Sequence, residues 1–190
     1  MKSILLLLLL PVLCSAQIKN VKLGGQQALV WAPPGADTAQ MAYIFYPGSG
    51  EVITNTAGKS AADLTAPLYT NNLLSFIRNG YKPGFIYAAV QPGESWPTPA
   101  EIAANIRALK AIYPHAKIVL TGLSLGAYTV ANFALSSQAN ADMIDGLIIM
   151  STAPVVSTVG AKYMNDKPVL GFVGTADKTA FWSHTPIMNA

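Results

Sequence analysis

The apolar residues fall into short blocks divided by glycine, proline and polar residues, and block length separates strands from helices. Residues 18–23 and 28–32 read as two strands around Gly24-Gly25, a hairpin signal, with Pro33-Pro34-Gly35 stopping the second. Residues 41–46, 85–90, 117–121, 147–151 and 168–173 are continuous aliphatic or β-branched runs, each expected to be a strand buried on both faces. A long polar stretch over 52–66 leads to a helix expected over about 68–79, closed by Gly80. Thr98-Pro99-Ala100-Glu101 has an N-cap, a first-turn proline and an acid three residues on. It opens a helix whose buried face is expected to carry Ile102, Ile106, Leu109 and Ile112. Residues 127–134 continue as a further helix, residues 152–166 read as irregular, and Thr179 onward could begin a last one.

Strands that alternate with helices imply an α/β fold: a mostly parallel sheet with helices on both faces. Ligands in such sheets bind at the carboxyl ends of the strands. Ser49, Trp96, Ser124, Asp177 and Trp182 all follow strand ends and so share that side. His115 precedes a strand and belongs on the opposite one.

The block at 117–131 is the most informative. The strand runs at once into Gly122-Leu123-Ser124-Leu125-Gly126 and then into helix. This G-x-S-x-G arrangement holds a serine on a strained strand-to-helix turn with its hydroxyl raised above the sheet edge. Glycines two before and two after leave room for the neighbouring strand and helix, and the helix N-terminus faces the place where an oxyanion would form. The pattern makes Ser124 a candidate nucleophile. The plainer alternative is an ordinary turn in which Ser124 only caps the helix.

Composition adds compartment and excludes several chemistries. Of the 190 residues, 52 % are hydrophobic and 11 % charged, which rules against disorder and fits one domain with a substantial core. Met1-Lys2, an apolar run over 4–13 and the small residues Cys14-Ser15-Ala16 form a secretory leader, too short for a comfortable membrane span. Residues 1–16 are therefore expected to be removed, leaving an exported domain over 17–190, secreted or periplasmic. A lipid anchor on Cys14 is the alternative, disfavoured by the bulky Leu13 before it. Cys14 is the single cysteine, so the mature chain has no disulfide, thiolate or cysteine-based metal site. Two histidines, His115 and His184, are too few and too far apart for a His-rich metal site, and no cofactor is expected. The net charge of +3 falls to +2 when Lys2 leaves, and the scattered basic residues form no nucleic-acid stripe.

These residues resemble the α/β-hydrolase superfamily. The resemblance rests on Gly122–Gly126 after one strand, Pro47-Gly48-Ser49-Gly50-Glu51 after an earlier one and Gly174-Thr175-Ala176-Asp177 after a later one. It covers about residues 43–177. Within the superfamily the chain is similar to secreted bacterial esterases of the feruloyl or acetyl-xylan esterase and polyhydroxybutyrate-depolymerase type. Pro47 stands where those enzymes usually carry a histidine. The resemblance implies a serine hydrolase acting on a small or polysaccharide-linked ester through an acyl-enzyme. Ser124 would be the nucleophile, the Leu125 and Ser49 amides the oxyanion donors, and Asp177 the acid that orients a histidine. For Ser49 the alternative is a glycine-rich turn without substrate contact, and for Asp177 a helix N-cap.

The base is harder to find. The family order is serine, acid, histidine, the last on a loop after a further strand. Only His184 follows Asp177, and it reads as the start of the last helix. Residues 186–190 read as the first turns of an apolar-faced helix without a stop. The chain is thus expected to be a C-terminal truncation lacking its last strand and helix, and inactive as given if so. A non-catalytic binding or scaffolding member of the fold is the competing reading. Trp96 and Trp182 could stack on a substrate ring or anchor their loops. Gly58-Lys59-Ser60 resembles the end of a P-loop, but Ile53 occupies the place of its first glycine, which excludes it.

Overall fold

The computed structural model describes residues 17–53, 55–70, 72–151, 158–174 and 177. The expected leader, Trp182, His184 and the helix expected from Thr179 lie outside the described residues.

The first strands are β1 (Gln17–Leu23) and β2 (Gln26–Ala32), an antiparallel hairpin. Gly24 and Gly25 make its turn at φ of 54° and 101°, a region closed to most side chains. The remaining strands are β3 (Met41–Tyr46), β4 (Ile86–Val90), β5 (Lys117–Leu123), β6 (Gly146–Met150) and β7 (Val169–Phe172). They pair in the order β1-β2-β4-β3-β5-β6-β7. β4, β3, β5, β6 and β7 run parallel, and β2 joins β4 antiparallel. From β3 the chain steps outward to β4, returns past β3 to β5 and continues the other way to β6. The order reverses between β3 and β5, and the crevice at their carboxyl ends is the expected ligand position.

The helices are α1 (Ala61–Thr65), α2 (Leu73–Arg78), α3 (Pro99–Ile112), α4 (Leu125–Ser136) and α5 (Gln138–Ala141). α3 opens as its sequence dictates: the Thr98 side chain accepts from the Glu101 amide, while Glu101 accepts from the Thr98 amide. Ile102, Ile106 and Leu109 are buried, but Ile112 is exposed. Asn105, about 20° from Ile112 around the helix, is fully buried, so Ile112 reaches solvent because it lies in the last turn of α3.

Two other expectations change. The helix expected over 68–79 is broken: a 3-10 turn spans Ala66–Tyr69, and α2 begins afresh after Asn72. Pro67 opens the 3-10 turn, and Asn72 caps α2 by accepting from the Leu74 amide. The polar stretch over 52–66 also hides α1. Ser60 and Asp63 form its capping box, which holds the Asp63 carboxyl below its ordinary range through the hydrogen bonds from Ser60. The apparent P-loop serine is therefore a helix cap. Residues 152–166, read as irregular, include a 3-10 segment over Thr158–Met164.

α3, α4 and the 3-10 segment cover one face of the sheet around Tyr46, Ile118, Leu120 and Phe133, all fully or almost fully buried. α2 and its preceding turn cover the other face around Trp31, Phe45, Leu68 and Leu74. Each such side chain contributes about 1.5–3 kcal/mol by leaving water. At the β7 edge this second cover thins, and Leu170 and Phe172 are 48 % and 53 % exposed.

Candidate active site

Tyr46 pairs with Gly122 across the last rung between β3 and β5. Two residues beyond each lie Gly48 and Ser124, so both turns leave the sheet side by side. Ser124 has φ 55° and ψ −118°, a conformation that a side chain normally avoids. Its amide donates to the Met150 carbonyl of β6 at 2.8 Å, and its carbonyl accepts from Tyr128 at 3.0 Å. The strand ladder thus holds one side of the residue and the helix the other. Ser151, on the neighbouring strand end, also has positive φ, at 48°, and its amide donates to the Phe172 carbonyl.

The flanking glycines are demanded by contact. A Cβ on Gly122 would strike the backbone of Gly126 and Ala127, and one on Gly126 would strike the carbonyl oxygens of Tyr46 and Pro47. Pro47 is buried and occupies the turn through its backbone. Although Ser124 sits at the N-cap of α4, its side chain makes no capping hydrogen bond. The strained backbone therefore supports something other than a cap.

The second turn passes close to the serine. Gly48 is buried, and the position its Cβ would take lies 3.5 Å from the Ser124 Cβ. Ser49 follows, exposed, at the start of a 3-10 turn over Ser49–Glu51. Leu125 is the first residue of α4, so its amide has no carbonyl one turn earlier to bond. Ser124, Ser49 and Leu125 are thus brought together at the β3/β5 crevice.

Asp177 is half-buried beyond β7, two strands from β5, with its amide donating to the Gly174 carbonyl at 2.9 Å. It shares the strand-end side with Ser124. His115 is exposed before β5, at the opposite end of the sheet. Trp96 is half-buried in the loop after β4.

Two residues without a role in the sequence reading enter here. Glu51 is 4 % exposed and Gln91 3 % exposed. The Gln91 amide nitrogen donates to the Glu51 carbonyl at 3.0 Å and so ties the end of β4 to the turn after β3. Behind them Asn105 of α3 donates to the Tyr46 hydroxyl at 2.8 Å, and burial pushes that phenol well above its usual range. The available signal for Glu51 was an acid confined in a turn between glycines and the apolar Val52-Ile53.

A cleft of about 470 Å³ opens against Tyr43, Phe45, Leu123, Ile148 and Met150. Most of these positions lie along the flat of the sheet rather than at its edge, so the cleft belongs to the packing of the α2 face. Among the described residues no cluster of acids, histidines or cysteines is arranged to hold a metal, and no helix is long and apolar enough to cross a membrane.

No protein-family model matches the chain, and no curated protein matches it in sequence. Solved structures do match in three dimensions. The hormone-sensitive-lipase homologue EstE7 from a metagenome library superposes with a TM-score of 0.57 at 14 % identity, covering 92 % of this chain and 71 % of that one. An alpha-beta serine hydrolase homologue from Coxiella burnetii gives 0.54 at 15 % identity, covering 91 % and 81 %. The chain has the α/β-hydrolase fold. EstE5, in a crystal soaked with p-nitrophenyl butyrate, gives 0.56 at 16 % identity, covering 91 % and 69 %. At these identities the likeness speaks for the α/β-hydrolase architecture. The chemistry has to be argued from the residues at the strand ends.

Proposed function

We propose that this protein is an exported serine hydrolase that cleaves carboxylic esters through an acyl-enzyme on Ser124. The observation that carries the reading is the Ser124 turn. A non-glycine residue is held at φ 55°, without a capping bond, between two glycines pressed on neighbouring backbone. Strain of this kind costs about 1–3 kcal/mol and is retained where it serves a site.

In the proposed reaction the Ser124 oxygen attacks the ester carbonyl while a base takes the hydroxyl proton. The carbonyl oxygen becomes an oxyanion at the Leu125 and Ser49 amides, beside the positive end of the α4 dipole. Collapse expels the alcohol, which receives the proton, and water then releases the acid by the same steps. Asp177 would orient the base, a histidine C-terminal to it, for which His184 is the one candidate in this sequence. The esterases and lipases among the structural neighbours favour ester substrates, and the resemblance to feruloyl and acetyl-xylan esterases favours small or polysaccharide-linked ones. The leader over residues 1–16 supports export.

A fluorophosphonate probe on the protein translated from its whole reading frame tests the proposal. Labelling that disappears in Ser124→Ala is the expected result, followed by hydrolysis within a panel of acetyl, feruloyl and longer acyl esters. No labelling of the wild type would overturn the proposal and favour a non-catalytic binding protein on this fold.

A further inference from the structure

Glu51 is buried as a residue, 4 % exposed, its carboxylate oxygens keep a little contact with solvent, and they have no hydrogen-bond donor or cation as partner among the described residues. Two exposed acids of this chain do have donors: Asp63 meets Ser60, and Glu94 meets the backbone and hydroxyl of Thr56. Glu51 combines burial with the lack of such a donor.

Its place is the nucleophile turn. The position a Cβ on Gly48 would occupy is 3.5 Å from Glu51 Oε2 and 3.5 Å from the Ser124 Cβ, so that carboxylate oxygen lies at most twice that distance from the Ser124 Cβ. The Ser124 hydroxyl has no acceptor among the described residues, just as the carboxylate has no donor. Within that limit a hydroxyl turned toward the carboxylate meets it directly or through one bridging water. Gln91 fixes the arrangement from behind through its bond to the Glu51 carbonyl.

We propose that Glu51 is a positioning residue for Ser124: its carboxylate accepts the hydrogen of the serine hydroxyl in the free protein, directly or through one water, and holds the oxygen in the rotamer that attacks. This rests on the serine hydrolase reading above. The proton itself goes to the base during acyl transfer, and Glu51 acts only through Ser124.

The test separates the contact from the chemistry. In a Cys14→Ser background, Ser124→Cys places a single thiol at the turn. A neighbouring carboxylate disfavours the thiolate, so Glu51→Gln added to Ser124→Cys should speed alkylation by iodoacetamide at pH 7.5 by about tenfold. Glu94→Gln, an exposed acid elsewhere, should leave the rate unchanged. Should Glu51→Gln fail to fold, Glu51→Asp keeps the charge on a shorter arm and should give a smaller acceleration. Equal alkylation rates with and without the substitution at Glu51 overturn the inference. With the serine in place, Glu51→Gln should lower kcat for a cleaved ester about tenfold or more while KM stays within twofold, and an unchanged kcat also overturns it. A thiol coupled to Glu51 in a protein that no fluorophosphonate labels would sink the hydrolase reading and leave the contact standing.

Discussion

Gly126→Ala isolates the packing on which the whole strand-end site depends. In an ordinary helix this exchange stabilises by about 1 kcal/mol, because alanine loses less freedom on folding. Here the new methyl would fall on the carbonyl oxygens of Tyr46 and Pro47 and 2.6 Å from the Tyr46 carbonyl carbon. Those are backbone atoms at the end of β3, which is bonded on both sides, to β4 and β5. Neither a rotamer change nor a small shift can clear them, so α4 must move away from the sheet. Overpacking costs about 1–3 kcal/mol, and rigid obstacles place this case at the upper end. For a chain of this size about 1 kcal/mol corresponds to about 2–4 °C. The variant should melt about 5–10 °C below wild type in a thermal scan followed by circular dichroism. Gly50→Ala is the control: nothing lies within 4 Å of its Cβ position, and its melting point should be unchanged or slightly raised. If Gly126→Ala melts within about 1 °C of wild type, α4 does not start against the end of β3, and the geometry argued for Ser124 falls with it.

Two further outcomes follow from strain and from burial. Ser124→Gly should be more stable than Ser124→Ala by about 1 kcal/mol, the relief of positive φ less the greater freedom of unfolded glycine, and equal urea midpoints would show the turn unstrained. Burial raises the phenols of Tyr46 and Tyr87 above their ordinary 10.0, so they stay protonated while the unfolded chain ionises. Their stabilisation is whole below pH 10 and declines above it, by up to about 1.4 kcal/mol per pH unit for each, until the folded phenols ionise. Urea midpoints between pH 9 and 11.5 should show this decline, Tyr87→Phe should remove about half of it, and flat midpoints would refute the assignment.

Much of the fold was legible because local rules and tertiary demands agree. β3 begins and ends where its apolar block does, and Thr98 and Glu101 cap α3 as their spacing requires. Disagreement arose where a polar group chose between two local uses. By spacing Asn72 falls inside the helix expected over 68–79, yet its side chain ends one helix region and starts another. Ser60 lies within a polar stretch, and it opens α1. Ile112 keeps the helical spacing of the buried face, yet it lies in the last turn of α3 and is exposed.

By itself the sequence determined the serine turn, since a strand followed at once by G-x-S-x-G and a helix leaves the backbone one compact route. Strand type, helix capping and the side of the sheet on which each candidate lies were also local or nearly local properties. The order β4-β3-β5 was not, because pairing joins residues dozens of positions apart and depends on which apolar faces fit together. That pairing sets Gly48 against Ser124 and closes Glu51 away from water. A glutamate in a glycine turn would ordinarily be solvated, and only the approach of β3 and β5 buries it beside the serine turn.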